Sequence, residues 1–258
     1  VTLPTGQFVM GDANGCDDEL PLTAVKMNEQ FQIGKFEVTN EQFARFDPNH
    51  NSRFEHAGSM IFAEKDRGPM LNAPTQPVVR VSWTRAVAFC DWLSKKTGRK
   101  VTLPTEAQWE YACRAGSASA FAYGGLDTDF SPWANLADTS ISKLAYWGRH
   151  DVPDLIPRDA RFDDGMLVTA PVGKYKPNAW GLHDMHGNAC EWTRSAYRSY
   201  PWRDNDGRNG SDAAGPKVIR GGSWRDRPKR CRSGFRLSYP AWQKVYNVGF
   251  RVVVESGN

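Results

Sequence analysis

The chain has 258 residues, 40% of them hydrophobic and 24% charged, with a net charge of only +4. That is enough for one large globular domain over 1–258, and it excludes a chain too polar to build a core. No apolar run approaches the roughly 18 to 20 residues of a membrane span, and no nucleic-acid module accompanies the modest charge, so neither a membrane nor nucleic acid is an expected partner.

In chain order, Thr39 followed by Gln42, with Phe43 and Phe46 beyond, spells a capping box that opens a short amphipathic helix. A β-branched run at Val78–Val81 reads as a strand. A second helix is predicted over about 84–96, where Ala86 or Val87, Cys90 and Leu93 recur at helical spacing before Gly98. Thr105 and Gln108 repeat the capping box after Pro104, placing Trp109, Ala112 and Cys113 on one face of a third helix that stops at Gly116. From 117 to 169 periodicity fades and Gly, Asp, Pro and aromatics dominate, which predicts a long ordered loop region. Further strands are predicted at Val218–Arg220 and Phe250–Val254. Ten Trp and 23 Gly suggest a core pinned by large aromatics and threaded by turns.

The five cysteines (Cys16, Cys90, Cys113, Cys190, Cys231) follow neither a disulfide framework nor paired zinc-ligand spacing. Cys90 and Cys113, inside helical patterns, read as small buried core residues. Lys217 to Arg236 carries eight Lys or Arg against the single acidic Asp226, so positive charge is concentrated there while the rest of the chain is net acidic. Guanidinium forks bind sulfate, phosphate or carboxylate in bidentate fashion. Arg225, Arg227, Lys229 and Arg230 are the better candidates for such an anion. Arg220, Arg232, Arg236 and Arg251 have the structural alternative of capping carbonyls in irregular backbone and stacking on tryptophans. Trp224, Tyr239, Trp242 and Tyr246 could offer flat surfaces to sugar rings.

Arg220-Gly221-Gly222-Ser223-Trp224 through Arg236, read with Asn247-Val248-Gly249-Phe250-Arg251-Val252-Val253, resembles the C-terminal core of the formylglycine-generating enzymes, or sulfatase-modifying factors. Phe8-Val9-Met10-Gly11, Phe36-Glu37-Val38-Thr39-Asn40, Pro77 to Trp83, Leu103 to Ala112 and Asn178 to Asn188 fit the same family in order. The resemblance implies an α+β fold, distantly like a C-type lectin, with little regular secondary structure. It also implies two copper(I)-binding cysteines after Gly-Gly-Ser. Here the second falls on Cys231 but the first on Asp226, a hard oxygen donor that replaces a thiolate poorly, so copper is not expected at the usual pair. Cys190 stands where relatives commonly have Trp, either as a displaced second thiolate or as filler for the lost indole. His183 stands where they commonly have Tyr.

By the same resemblance, calcium would be structural. One oxygen set is Asn135, Leu136, Asp164 and Met166; a second is Asn178, Ala179, Gly181 and His183. Asn135 and Asn178 could instead only cap turns. The expectation is a protein that recognises, and could desulfate, a sulfated carbohydrate or other anionic ligand. Ser223, Trp224, Arg225, Arg227, Arg230 and Trp242 would bind it, and His183, Asp226 and Cys231 would be the catalytic candidates, ahead of His150 and His186. The alternatives are a metal-dependent oxidase, acting on a sulfatase peptide or a small metabolite, and a noncatalytic glycan-binding module. A chain that opens at Val1 without an initiator Met fits a mature form or an excised domain, and an extracytoplasmic location (periplasmic or secreted) is the expectation.

Overall fold

Both capping boxes form. Thr39 Oγ1 accepts from Gln42 N at 3.2 Å while Gln42 Oε1 accepts from Thr39 N at 3.0 Å; Thr105 and Gln108 reciprocate at 3.0 and 2.8 Å. Each box satisfies two N–H groups that a helix start would otherwise orphan. The computed structural model describes residues 1–53, 70–142 and 157–255; His150 lies outside them. Helix α1 (Asn40–Ala44) follows the first box, α2 (Trp83–Thr97) ends on Gly98 in a left-handed cap, and α3 (Glu106–Arg114) follows the second box. Trp109, Ala112 and Cys113 are fully buried on α3, as their spacing predicts.

The strands are short. β1 (Thr2–Leu3), β4 (Phe31–Ile33), β5 (Val101–Thr102) and β10 (Val253–Glu255) form one sheet, in the order β1-β4-β10-β5, which ties the start of the chain to its end. β2 (Gly6–Met10) and β3 (Thr23–Met27) pair as a hairpin. β6 (Cys190–Ala196), β7 (Lys217–Arg220), β8 (Leu237–Tyr239) and β9 (Val248–Gly249) form the second four-stranded sheet, in the order β8-β7-β6-β9, with β9 parallel to β6.

Two strand expectations need correction. Val78–Val81 is buried and extended in part, but it joins no ladder: Val78 N bonds Val38 O, Arg80 N bonds Val245 O, and Arg80 has φ +60°, which breaks the alternation a strand requires. The C-terminal strand begins at Val253, since Phe250 to Val252 lie between β9 and β10. Among the described residues of 117–169 the backbone is irregular, apart from a 3-10 turn at Thr139–Ile141. Its buried Asn, Asp and Ser side chains supply the hydrogen bonds that a ladder otherwise would.

Candidate functional site

The arginines divide into two populations. Arg220 is fully buried, ion-paired to Glu110 and bonded to the carbonyls of Ser233, Gly234 and Phe235 at 2.7–2.8 Å. Arg236 pairs with Glu106 at 2.6 Å, Arg232 with Asp12 and Glu19, and Arg251 with Glu191 at 2.6 Å. Each guanidinium fastens irregular backbone to a buried carboxylate, so these four are structural. Lys217 is also inward, its Nζ 2.8 Å from Ala213 O.

The other cations stand on the β7–β8 loop. Arg227, Lys229 and Arg230 are exposed and Arg225 is half-buried. A 3-10 turn, Pro228–Arg230, opened by a proline at its first position, sets their spacing. Arg225 Nη1 is buried yet has no hydrogen-bond partner. Arg230 approaches Asp226 at 3.7 Å, with its side chain 63% exposed. Trp242, 74% exposed, stands on the segment between β8 and β9. That segment docks on the loop through Asn247 Nδ2, which donates to Ser223 Oγ at 2.8 Å, and through Tyr246, whose ring centroid lies 6.1 Å from that of Trp224.

Beneath the loop, Ser223 Oγ donates to Asp226 Oδ2 at 2.6 Å, and Cys190 Sγ lies 4.0 Å from the same oxygen. Cys231 Sγ points to Asp226 O at 3.7 Å. Gly222, at φ +67°, makes the turn possible: a Cβ there would collide with Cys231 Sγ. Burial pushes the Asp226 carboxyl above its usual range. Burial, then the neighbouring Asp226 charge, pushes both thiols up as well. Protonated, carboxyl-flanked thiols are poor soft-metal ligands. Among the described residues the one Cys/Asp/Glu/His trio with mutually close ligand atoms is Cys16, Asp18 and Glu19. There Glu19 already caps the Cys16 N–H and pairs with Arg232. The Cys231 neighbourhood therefore does not fit a two-thiolate copper site.

Several expected roles are corrected. Trp224 is 1% exposed, packed with Val79 and Ala189, so it is core and presents no face to a sugar. Ser223 is fully buried and orients Asp226, so it is not placed to meet a ligand. Cys231 is fully buried against Phe121, Phe130 and Leu136. His183 is held apart from Asp226: Nδ1 meets Tyr175 O at 2.7 Å, and its ring lies on Phe36 with centroids 5.0 Å apart. Neither contact reaches Asp226, so the two remain separate candidates for proton transfer. His186 Nδ1 donates to Cys231 O at 2.8 Å and its Nε2 accepts from Ala122 N at 3.0 Å, which fixes a neutral, structural imidazole. Asn247 and Cys190 belong to the Asp226 cluster, and of the two the sequence pointed only to Cys190, through its place in the Trp motif.

The two implied calcium sets differ in fit. In the first, Asn135 Oδ1 is buried without a partner, buried Asp164 accepts from the N–H of the next residue, Leu136, and buried Asp138 accepts from Asp164 N. Burial, then the Asp138 charge, raises the Asp164 carboxyl to about 7. Orphan oxygen and uncompensated carboxylate suit a hard cation, and Asn135 and Asp164 would hold it, neutralising charge and pinning the loop. Met166 O accepts from Ser140 Oγ at 2.5 Å, and Leu136 reaches Asp164 through its N–H at 2.8 Å. In the second set, Asn178 Oδ1 already accepts from Trp180 N and Leu182 N at 3.0 and 3.1 Å, and His183 O accepts from Arg251 at 3.0 Å. With those oxygens engaged, the second set does not fit as it stands; Asn178 caps a turn.

The sequence model of the sulfatase-modifying factor enzyme 1-like domain matches residues 1–256. The chain belongs to that family. It is similar to a formylglycine-generating enzyme of Streptomyces coelicolor, 32% identical over 97% of this chain and 87% of that one. It is also similar to an inactive C-alpha-formylglycine-generating enzyme 2 of Bos taurus, 29% identical over 100% of this chain and 88% of the relative. Among solved structures, PvdO from Pseudomonas aeruginosa aligns with a TM-score of 0.73 at 29% identity, covering 99% of this chain and 94% of that one. The family fold, mixed sheets with few helices, is therefore the fold of this chain. Relatives named as active and as inactive both lie at this distance, so the family leaves the chemistry to the site. Among the described residues no helix is long and apolar enough to cross a membrane.

Proposed function

We propose that the β7–β8 loop recognises an anionic ligand, with a sulfated carbohydrate as the class that suits it best. The observation that carries this reading is the division of the arginines. After four guanidiniums are consumed by buried carboxylates, Arg225, Arg227, Lys229 and Arg230 remain on one short loop, and Arg225 Nη1 is left unpaired. Planar guanidiniums match the oxygen spacing of a sulfate group, and exposed Trp242 on the neighbouring segment offers an aromatic face for a sugar ring. Asp226, half-buried with its carboxyl raised above the usual range by burial, is the group available to donate a proton to a departing sugar oxygen. The test is binding of calcium-loaded protein to a panel of sulfated oligosaccharides and their desulfated counterparts, with sulfate release followed in parallel. Binding that requires the sulfate and falls in Arg227→Ala supports the reading. Equal binding to desulfated sugars, or none, defeats it.

A second reading is oxidation of a sulfatase peptide or a small metabolite, which the name of the S. coelicolor relative suggests. It is favoured by the approach of two thiols to one residue, Cys190 to the Asp226 carboxyl and Cys231 to the Asp226 backbone carbonyl. Oxygen consumption with a cysteine-containing sulfatase peptide, abolished in Cys231→Ser, would establish it in place of the first.

A further inference from the structure

The β2–β3 hairpin is a two-stranded sheet, so each of its strands keeps one edge without a strand partner. A groove of about 680 Å³ runs along β2, lined in succession by Gly6, Gln7, Phe8 and Val9. Successive side chains of a strand point to opposite faces, so four consecutive lining residues mean that the groove follows the backbone edge and not one face. The lining continues with a row of aromatic rings, Phe8, Tyr111 and Trp180, whose neighbouring centroids lie 5.4 and 4.7 Å apart. It also takes in the small residues of 116–120. Arg114 ties that segment to the end of β2, donating through Nη2 to Gly11 O at 2.7 Å and through Nη1 to Ser119 O at 3.4 Å.

The two open edges of the hairpin are built differently. On β3, exposed Lys26 stands at the edge, and the cavity that follows this strand is lined by Glu29, Lys100, Arg194 and Glu255 as well. Charge on an edge strand discourages another chain from pairing with it. β2 carries no charge. Its Val9 is 54% exposed, and Leu20 and Leu22, on the turn toward β3, are 40% and 44% exposed. Apolar side chains clustered on an unguarded edge mark an interaction surface. The charged side chains that line the groove are already matched within the protein: Arg114 pairs with Glu110 at 2.7 Å, and Arg232 with Glu19 at 2.6 Å and with Asp12. A charge entering the groove would lose water and gain no partner. A second copy's β2 comes with its own 116–120 segment alongside, so a single extended chain fits where a second sheet does not.

We infer that the open edge of β2 takes up an extended, uncharged peptide segment of a partner protein as a third strand of the hairpin sheet, its apolar side chains resting on the Phe8–Tyr111–Trp180 row. Main-chain hydrogen bonds supply the affinity in this mode and alternate side chains the selectivity. The five residues of β2 span roughly 17 Å, which sets the length of the segment at about five residues. Arg225, Arg227, Lys229 and Arg230 do not line this groove, so the inference is independent of the reading given to the β7–β8 loop.

The probe is an end-blocked hexapeptide of alternating valine and threonine, titrated into nitrogen-15-labelled protein and followed by NMR. Saturable shifts of the Gly6 to Met10 amides, with slowed hydrogen exchange in the same strand, are expected. The same peptide N-methylated at every residue keeps its side chains but cannot donate main-chain hydrogen bonds; the loss of two or three of them should weaken binding about tenfold or more. A version with aspartate at the valine positions should not bind, and Val9→Lys should weaken the unmodified peptide severalfold. No shifts in β2, or equal binding of the N-methylated peptide, overturns the inference, and neither result depends on a folded variant. So does light scattering that finds a wild-type dimer and a Val9→Lys monomer, because the edge would then belong to a second copy.

Discussion

Cys190 on β6 and Asp226 on the β7–β8 loop, 36 residues apart in sequence, meet with Sγ 4.0 Å from Oδ2. By the motif resemblance, the carboxylate stands where a thiolate is expected and the cysteine where a tryptophan is expected. The two departures are therefore adjacent in space. A thiol at position 226 would stand beside Cys190, on the residue whose carbonyl Cys231 Sγ meets, and would remove the carboxylate that disfavours both thiolates. Asp226→Cys is expected to bind Cu(I) in competition with a chromogenic chelator under conditions where the wild type does not. A variant that competes no better than wild type would show that the loop geometry, and not the donor atom, excludes copper.

The two arginine populations predict opposite mutational costs. Arg220→Met removes the cation shared by buried Glu106 and Glu110, which keep Arg236 and Arg114, and strips the carbonyls of Ser233, Gly234 and Phe235 of their donor, which should cost about 3 kcal/mol of stability. Arg230→Ala removes a 63% exposed side chain whose pairing with Asp226 is screened by solvent, so the cost should stay within about 0.5 kcal/mol. Urea unfolding of the two variants measures both. A large loss in Arg230→Ala would mean that the surface loop is built by its own charges.

His186 gives a pH dependence with a definite sign. Burial lowers its folded-state value from 6.5 to about 4. Between those values the unfolded chain binds the proton and the native chain does not, so stability falls as pH drops through the window. The contribution is complete above 6.5 and spent below 4, with an upper bound of about 3 kcal/mol. Asp184, raised to about 6, acts with the opposite sign over part of that range, so the wild-type curve alone does not isolate the histidine. The wild-type stability minus that of His186→Gln should decline from pH 6.5 toward 4. A difference that stays flat with pH would contradict the neutral assignment.

Local signals were legible in the sequence and long-range ones were not. The capping boxes at Thr39 and Thr105, the stop at Gly98 and the buried Trp109 face follow from spacings of three or four residues, and the structure reproduces them. The family, and with it the fold, was legible in the ordered motifs. Val78–Val81 misled because β-branched composition says nothing about whether a neighbouring strand is available, and Arg80 breaks the extended run. The solvent-facing cations of one basic segment are flanked by buried Arg220, Arg232 and Arg236, whose roles are set by Glu110, Glu19 and Glu106 from elsewhere in the chain. Trp224 looked like a ligand platform because Trp suits both roles, and only its burial decides.

Ligand recognition by the loop predicts a separation between affinity and stability. Arg227 and Trp242 are exposed, so Arg227→Ala and Trp242→Ala should leave the unfolding midpoint in urea unchanged. A charge-assisted hydrogen bond to sulfate is worth about 1.5–3 kcal/mol, so Arg227→Ala should weaken binding roughly tenfold or more. Its loss should also reduce the salt dependence of binding, because the exposed guanidinium is the screened partner. Trp242→Ala should weaken binding while leaving that salt dependence as it was, since a stacked ring contributes no charge. Calorimetric titration with a sulfated oligosaccharide at two ionic strengths distinguishes the effects. If Arg227→Ala binds as wild type does at both, the anion is not held by this loop.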